Sequence, residues 1–150
     1  MSSHHERIPV PFHPEQMWDL VMDVETYPRF IPWVEALRVV KRAEEGSVRR
    51  LSADMVVRYS MFRESFRSEV NADREAGKVD VRYVRGPLKD LENHWVFEPT
   101  EKGCIVNFEL KFAFKNRLMQ TAATKFVDFG FKRLSGAFID EAHRRYTPIG

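Results

Sequence analysis

Three scarcities in the 150-residue sequence each exclude a class of protein. The single cysteine, Cys104, excludes an intramolecular disulfide and any CxxC redox or zinc motif, which fits a reducing compartment. The opening residues lack the apolar core of a signal peptide, and no run approaches the roughly 18 apolar residues of a membrane span. We therefore expect a cytoplasmic protein whose membrane contact, where it occurs, is peripheral and at the inner membrane.

Excess charge, glycine-rich loops and metal-ligand spacings are equally scarce. Lys and Arg number 24 against 22 Asp and Glu, a formal excess of +2, which does not predict DNA as a partner. The seven glycines form no GxGxxG, GxSxG or phosphate-binding loop. The five histidines never adopt a metal-ligand spacing, and His4 and His5 are expected to form a frayed terminus. We expect no metal, no cofactor and no catalytic residue.

Aromatic residues, in contrast, are abundant. They make up 13% of the chain, and 12 of them are Phe. So much bulky apolar surface must either fill a large core or line a cavity, and ligand pockets are lined mainly by apolar and aromatic groups with a few polar ones. We favour a cavity that holds a hydrophobic small molecule.

The apolar pattern changes period twice along the chain. Residues 3–10 are compatible with a first strand, and Pro14 and Glu15 then mark a helix start. Pro28 and Pro32 restrict the next segment to a short second helix or turn that ends near Trp33. Alternation of period two from about residue 35 to 115 predicts about six antiparallel strands, and residues 117–145 return to helical spacing.

This order of elements predicts an α+β fold in one domain, residues 1–150. The final helix is apolar over about two-thirds of its circumference, well beyond the usual ~100° stripe, so it must be contacted on more than one side. Only a sheet bent around the helix buries so wide a face economically. We therefore predict a helix-grip fold, in which a curved antiparallel sheet of about six to seven strands wraps around the long C-terminal helix and two short helices follow the first strand.

A few polar residues share the inward register of the predicted strands. Glu64 and Ser68 alternate with Phe66, and Asn93 alternates with Trp95. A buried polar group needs a partner, so each of these side chains must bond a neighbour, a water molecule or the head group of a ligand. The sequence leaves these alternatives open.

Two segments carry a family resemblance. Residues 23–33, DVETYPRFIPW, are similar to the D-x-E-x-Y-P-x-F-x-P-W signature of the coenzyme Q-binding proteins, a branch of the START-like, polyketide-cyclase-like superfamily. Residues 86–97, GPLKDLENHWVF, resemble the same family's G-P-(F/L)-x-x-L-x-x-x-W-x-F stretch. The resemblance covers nearly the whole chain, with one departure, because Val34 stands where many members have Cys.

The resemblance implies a START-like helix-grip domain that binds ubiquinone or a precursor and supports respiratory electron transport without catalysis. It also implies an alternative, because bacterial relatives are ribosome-association toxins that bind the large subunit. Basic pairs that such a partner would need are Lys41-Arg42, Arg49-Arg50 and Arg144-Arg145. More distant relatives are cyclases or aromatases, for which Glu64, Tyr59 or Tyr83 would have to supply acid-base chemistry.

The predicted cavity lining comes from the first motif, the strands and the final helix. Its members are Tyr27, Phe30, Trp33, Met55, Val57, Phe66, Tyr83, Asn93, Trp95, Phe108, Phe112, Met119, Ala122, Phe126, Gly130 and Ala137. Ordinary close packing of the same residues is the alternative, and Tyr27, Phe30 and Trp33 would equally serve to seal one end of the core. Predicted membrane contacts are Leu88, Phe129, Phe131 and Lys132. A plain turn at Leu88 and core positions for the two phenylalanines are the alternatives.

Overall fold

Seven antiparallel strands form one sheet in the order β1-β7-β6-β5-β4-β3-β2. The computed structural model describes residues 2–59 and 62–150, with the side chains of residues 2, 59, 62, 118–120 and 122–132 outside that description. The strands are β1 (Ser2–Val10), β2 (Val34–Glu45), β3 (Val48–Tyr59), β4 (Phe62–Asp73), β5 (Lys78–Arg85), β6 (Leu88–Thr100) and β7 (Gly103–Phe114). The sheet curves around a long terminal helix, so the predicted α+β helix-grip fold is confirmed.

The alternation of the sequence sets which face of each strand is buried. In β7, the side chains from Cys104 to Phe112 at every second position are buried, whereas the residues between them are half-buried. From β2 to β7, each strand pairs with its neighbour in sequence. β1 instead pairs with β7, with Val10 opposite Cys104, and forms the edge of the sheet opposite β2.

Two short helices follow β1, as predicted. Helix α1 (Pro14–Met22) begins with Pro14, and the His13 N–H donates to Gln16 Oε1 over 3.0 Å. Its apolar face buries Met17, Trp18, Leu20 and Val21. A single 3-10 turn (Val24–Thr26) then leads into α2 (Tyr27–Phe30), which ends before Pro32.

Helix α3 (Arg117–Arg145) has the predicted bounds and a length of about 43 Å at 1.5 Å per residue. Its C-terminal half packs against α1, α2 and the sheet, and it buries Phe138 and Ala142 completely. These residues join Phe12, Trp18 and Phe108 in the main core. Within the described ranges, no helix has both the length and the apolar character needed to cross a membrane.

The amino-terminal segment differs from expectation at its histidines. His4 and His5 lie inside β1, where His4 is opposite Leu110 and His5 is opposite Glu109. The prediction of a frayed terminus is therefore wrong. Pairing with β7 satisfies the backbone of this segment, a tertiary contact that its polar side chains do not reveal.

Candidate functional site

The candidate site is the inner face of the sheet, which α3 covers. Strand register brings inward side chains from distant parts of the chain into lines across the sheet. One such line passes from Phe108 on β7 through Trp95 on β6 to Val79 on β5, and all three side chains are at most 3% exposed. This part of the inner face is close-packed.

Phe138 of α3 is the centre of an aromatic cluster at the packed end. Its ring centroid lies 5.1 Å from Tyr27, 5.2 Å from Phe30 and 5.0 Å from Trp95, each in an edge-to-face arrangement. Trp95 continues the cluster to Phe108 at 4.7 Å. Phe138 was not among the predicted site residues. Its spacing of four residues from Leu134 and from Ala142 places all three on one face of α3, and this pattern could have indicated a buried position.

The first signature motif is fastened to the end of α3. Arg145 donates from Nη1 to Asp23 Oδ2 and from Nη2 to Thr26 Oγ1, both over 2.8 Å, and its guanidinium lies 5.9 Å from the Phe30 ring centroid. The Tyr27 hydroxyl donates to the Val21 carbonyl, and burial, followed by the charge of Asp23, raises the pKa of Tyr27. These contacts place Tyr27 and Phe30 where they seal the packed end of the core.

Beyond the packed end, several large apolar side chains on the inner face stay half-buried. Met55 on β3 is opposite Phe66 on β4, and both are partly accessible, as are Leu91 on β6 and Phe114 on β7. Interdigitated cores leave few such gaps beside large side chains. An apolar, partly accessible surface inside the fold is where a hydrophobic ligand gains contact area.

Tyr83 and the Gly86-Pro87 turn close one margin of this surface. The Tyr83 hydroxyl accepts a hydrogen bond from the Leu88 N–H over 3.1 Å, and burial raises the pKa of Tyr83. Gly86 has φ +147°, and a Cβ there would lie 2.9 Å from the Ser65 carbonyl oxygen and 3.0 Å from Phe66. The motif glycine is therefore required by both its backbone angle and its close packing.

Asn93 makes its hydrogen bonds to neighbours. Its Nδ2 donates to the Glu109 carbonyl over 2.9 Å, and its Oδ1 accepts from Trp95 Nε1 over 2.8 Å. The sequence left open whether Asn93 bonds a neighbouring residue, a water molecule or a ligand, and the structure shows bonds to neighbouring residues. Glu64 and Ser68 are half-buried on the inner face of β4, and the described part of the chain gives neither side chain a hydrogen-bond partner.

The predicted lining residues lie in different parts of the structure. Tyr27, Phe30, Trp95 and Phe108 come together in the aromatic cluster, whereas Met55, Phe66 and Tyr83 lie on the half-buried part of the inner face. Val57 and Phe112 are buried, and Ala137 is partly buried on α3. Trp33 is half-buried after α2, and its carbonyl accepts from the Arg58 N–H over 2.8 Å. The side chains of Met119, Ala122, Phe126 and Gly130 lie outside the described residues.

Of the four predicted membrane contacts, the structure describes the side chain of Leu88 alone. Leu88 is only 4% exposed, so the prediction of an exposed Leu88 at the hairpin tip is wrong. The tip is Gly86-Pro87, and Leu88 already begins β6, opposite Phe114 on the inner face. Phe129, Phe131 and Lys132 lie outside the residues whose side chains are described.

Cys104 and His94 are two titratable groups whose surroundings shift their pKa. Burial, with a smaller contribution from Glu15, raises the pKa of Cys104 to about 11, and the side chain is 1% exposed. His94 points to the outer face, where its Nδ1 lies 2.7 Å from Asp80 Oδ1. Burial lowers the pKa of His94, but Asp80 and Glu92 outweigh it and leave the pKa raised. No group of three or more His, Cys, Asp or Glu side chains among the described residues is arranged to hold a metal.

The outer face carries a line of arginines that we call the arginine row: Arg38, Arg67 and Arg85, arranged around Asp54. Strand register places Arg38 opposite Asp54, Asp54 opposite Arg67 and Arg67 opposite Arg85. Arg67 donates two hydrogen bonds to Asp54, of 2.7 and 2.8 Å. Hydrogen bonding to Arg67 lowers the pKa of Asp54, and the charges of Arg85 and Arg38 lower it further. One carboxylate therefore faces three guanidinium groups.

A curved sheet that grips a long helix over a partly accessible apolar inner face defines a helix-grip protein. Residues 10–139 match the family described as polyketide cyclase / dehydrase and lipid transport. The chain belongs to this family, and its START-like architecture agrees with that assignment.

Relatives of the chain include a coenzyme Q-binding protein and a ribosome association toxin. The chain is 30% identical over 149 residues to the mitochondrial coenzyme Q-binding protein COQ10 of Drosophila melanogaster, covering 93% of this chain and 57% of that protein. It is 30% identical over 116 residues to the ribosome association toxin RatA of Escherichia coli, covering 75% of this chain and 69% of RatA. The chain thus spans little more than half of the length of Drosophila COQ10.

A solved structure is similar over almost the full length. The solution structure of the 18 kDa protein CC1736 from Caulobacter crescentus shares 33% identity with a TM-score of 0.80, covering 96% of this chain and 97% of that protein.

Proposed function

We propose that the chain is a non-catalytic carrier that binds an isoprenoid quinone, ubiquinone or a precursor, on the inner face of its sheet and supports quinone delivery in respiratory electron transport. The observation that carries the proposal is the half-buried apolar surface around Met55, Phe66, Leu91 and Phe114. Each Å² of such surface that a ligand removes from water contributes about 25 cal/mol. The name of the COQ10 relative supports coenzyme Q as the ligand.

The absence of catalysis in the proposal rests on how the reactive groups are used. Tyr83 has its hydroxyl engaged by the Leu88 N–H and a raised pKa, and Cys104 is a buried thiol whose pKa is about 11. Neither is an activated base or nucleophile at neutral pH. Glu64 is an inward carboxylate on β4, and alone it provides only one half of an acid-base pair. A second inward carboxylate, Glu6 on β1, lies beside His4. The family description also names cyclases and dehydrases, so turnover is the outcome that would contradict this part.

Binding of decylubiquinone, followed by quenching of tryptophan fluorescence, tests the proposal. Trp95 lies on the inner face and reports a ligand there. Ala137→Phe fills space between α3 and the sheet at an overpacking cost of ~1–3 kcal/mol, which a domain of this size tolerates. Ala36→Phe is the matched control, because Ala36 is exposed on β2. We expect the first variant to lose quinone and the second to bind like the parent; binding by neither parent nor variants contradicts the proposal.

The ligand itself is best identified from the native host. Protein purified from that source and examined by native mass spectrometry should carry an extra mass, and lipid extraction should release it as an isoprenoid quinone. Recovery of a phospholipid or a polyketide instead would contradict the quinone assignment while leaving an apolar ligand site in place.

Peripheral membrane contact is part of the proposal, since a quinone carrier must exchange its ligand with a bilayer. Leu88 cannot provide that contact because it is buried. Val84 is 44% exposed beside the β5–β6 turn, between Arg82 and Arg85, a combination that suits the boundary of anionic headgroups. Val84→Ser should weaken sedimentation with anionic liposomes and leave thermal stability unchanged, whereas unchanged sedimentation would remove this contact from the proposal.

Association with the large ribosomal subunit is a second candidate function, favoured by the arginine row. The row and the neighbouring Arg58 and Arg63, which share Glu35, place five arginines against two carboxylates on one face. The arginines of this group outnumber its carboxylates by three, and Arg82 and Glu69 pair with each other on the same face. Of the basic pairs suggested by sequence, Arg42, Arg49, Arg144 and Arg145 instead pair with carboxylates.

Co-sedimentation with ribosomal subunits distinguishes this second function. The double variant Arg67→Glu, Arg85→Glu reverses charge in the row, and Arg144→Glu makes the same change at the end of α3. If ribosomal RNA binds the row, the double variant loses the large subunit at 50 mM salt and the control keeps it. Equal sedimentation of all three proteins, or none by the parent, contradicts ribosome association through this face.

A further inference from the structure

The edge strand β1 directs two ionisable side chains toward the interior. Its register with β7 places His4 opposite Leu110 and Glu6 opposite Phe108, so both share the inner face with the aromatic cluster. Their neighbours Arg7 and His5 belong to the outer face, where Arg7 binds Glu98 and Asn107. The strand thus carries two titratable side chains on the face where apolar residues are expected. The His4 and Phe108 ring centroids are 6.3 Å apart.

The polar atoms of this pair are buried and incompletely bonded. His4 Nε2 lies 3.3 Å from Glu6 Oε1, and the side chains of His4 and Glu6 are 29% and 24% exposed. Yet His4 Nε2 and Glu6 Oε2 are shielded from solvent without a hydrogen-bond partner in the described part of the structure. Asn93, on the same line across the sheet, differs in that the protein itself occupies its polar atoms.

Buried polar atoms without partners are costly, and natural folds retain them where something else completes the bonds. We propose that the His4–Glu6 pair is the polar anchor of the inner-face site, with a ring His4 N–H donating to an oxygen of the ligand's head group. The ligand class is an apolar molecule whose ring bears carbonyl or hydroxyl oxygens. This inference rests on the proposed function, since it locates the head-group end of the same site.

The surroundings of the pair suit a flat, oxygenated ring. Phe108 lies beside the pair on the inner face, with its ring centroid 6.3 Å from that of His4, and it packs in turn against Trp95 at 4.7 Å, so the floor under the pair is apolar and rigid. Glu6 supplies an acceptor for a hydroxyl, and His4 supplies a donor for a carbonyl, so the pair serves both the oxidised and the reduced form of such a ring. The half-buried apolar side chains of Leu91 and Phe114, on the two strands nearest to β1, then begin the path of the tail.

Two probes separate an anchor from a general effect on the cavity. Decylubiquinone has both the oxygenated ring and the tail, whereas decylbenzene has a ring and a tail of equal length without oxygen. His4→Ala should weaken decylubiquinone binding by at least tenfold and change decylbenzene binding by less than twofold. His4→Gln keeps an N–H donor and should recover part of the lost affinity.

His5→Ala is the matched control, because His5 is the adjacent histidine on the outer face of the same strand. It should bind both probes like the parent. Urea midpoints of all three variants establish that each is folded. The anchor is overturned if His4→Ala binds decylubiquinone like the parent, or if folded His4→Ala and His4→Gln lose both probes equally. A parent that binds decylbenzene but not decylubiquinone also overturns it, whereas a parent that binds neither probe overturns the proposed function itself.

Discussion

Replacement of Asn93 by Ala distinguishes a structural side chain from a ligand contact. The variant removes the acceptor of Trp95 Nε1 and the donor to the Glu109 carbonyl. Trp95 is 3% exposed, so its N–H is left buried without a partner, at a cost of about 1–3 kcal/mol. The lost bond to the carbonyl adds about 0.5–1.5 kcal/mol. A total of about 1.5–4.5 kcal/mol is a large part of the ~5–15 kcal/mol by which domains are stable.

The assay is urea unfolding followed by circular dichroism, with melting temperature as a second measure. The expected loss lowers Tm by roughly 3–18 °C in a chain of this length. Trp95→Phe removes the N–H, so Asn93→Ala in that background should cost about 1 kcal/mol less than in the parent, which measures the coupling directly. Decylubiquinone affinity should stay within twofold. Additive effects of the two changes, or a tenfold loss of quinone affinity without loss of stability, would refute the argument that the protein itself satisfies Asn93.

Three further perturbations test the packing and electrostatics. Phe138→Ala should cost about 3–5 kcal/mol in urea unfolding, because it empties the centre of the aromatic cluster; a cost below 1 kcal/mol would contradict that central position. Gly103→Ala should lower the free energy of unfolding in urea by at least ~2 kcal/mol, because φ at Gly103 is +145° and the new Cβ would lie 2.2 Å from the Val10 carbonyl oxygen of β1. Gly136→Ala is the control: a Cβ there meets no atom within 4 Å, so this variant should be more stable than the parent by about 0.5–1 kcal/mol. Since Asp80 raises the pKa of His94 in the folded state, their pairing stabilises the protein below the unfolded pKa and loses that effect as pH rises through the folded pKa. Asp80→Asn should therefore lower Tm at pH 5.5 by an amount equivalent to at most about 1 kcal/mol, because the pair is exposed, and should not lower it at pH 9; an equal loss at both would contradict the linkage.

Local pattern was sufficient for most of the fold. The alternation from Cys104 to Phe112 assigned the buried face of β7, and helical spacing without proline placed α3 at residues 117–145, as the structure has it. Pro14 marked the start of α1. These features are set by the chain's own periodicity and by proline stereochemistry, so they are readable without knowing what packs against them.

Site prediction was less complete because a shared face does not specify a neighbour. Leu88 follows a turn motif, which suggested exposure, but β6 begins at that residue and turns it inward. Phe138 was overlooked because its importance comes from Tyr27 and Phe30, which are far away in sequence. In each case the deciding contact is made between segments whose proximity only the packed structure establishes.

The sequence by itself determined the class of fold, the family motifs and the faces of the central strands, since periodicity and turn chemistry are local. Tertiary structure decided what those faces contain. The pairing of β1 with β7 turned His4 and Glu6 inward, and the register of β2 through β5 placed Arg38, Arg67 and Arg85 around one carboxylate. Strand register is a property of pairs of segments, and a one-residue slip would move each of these side chains to the opposite face.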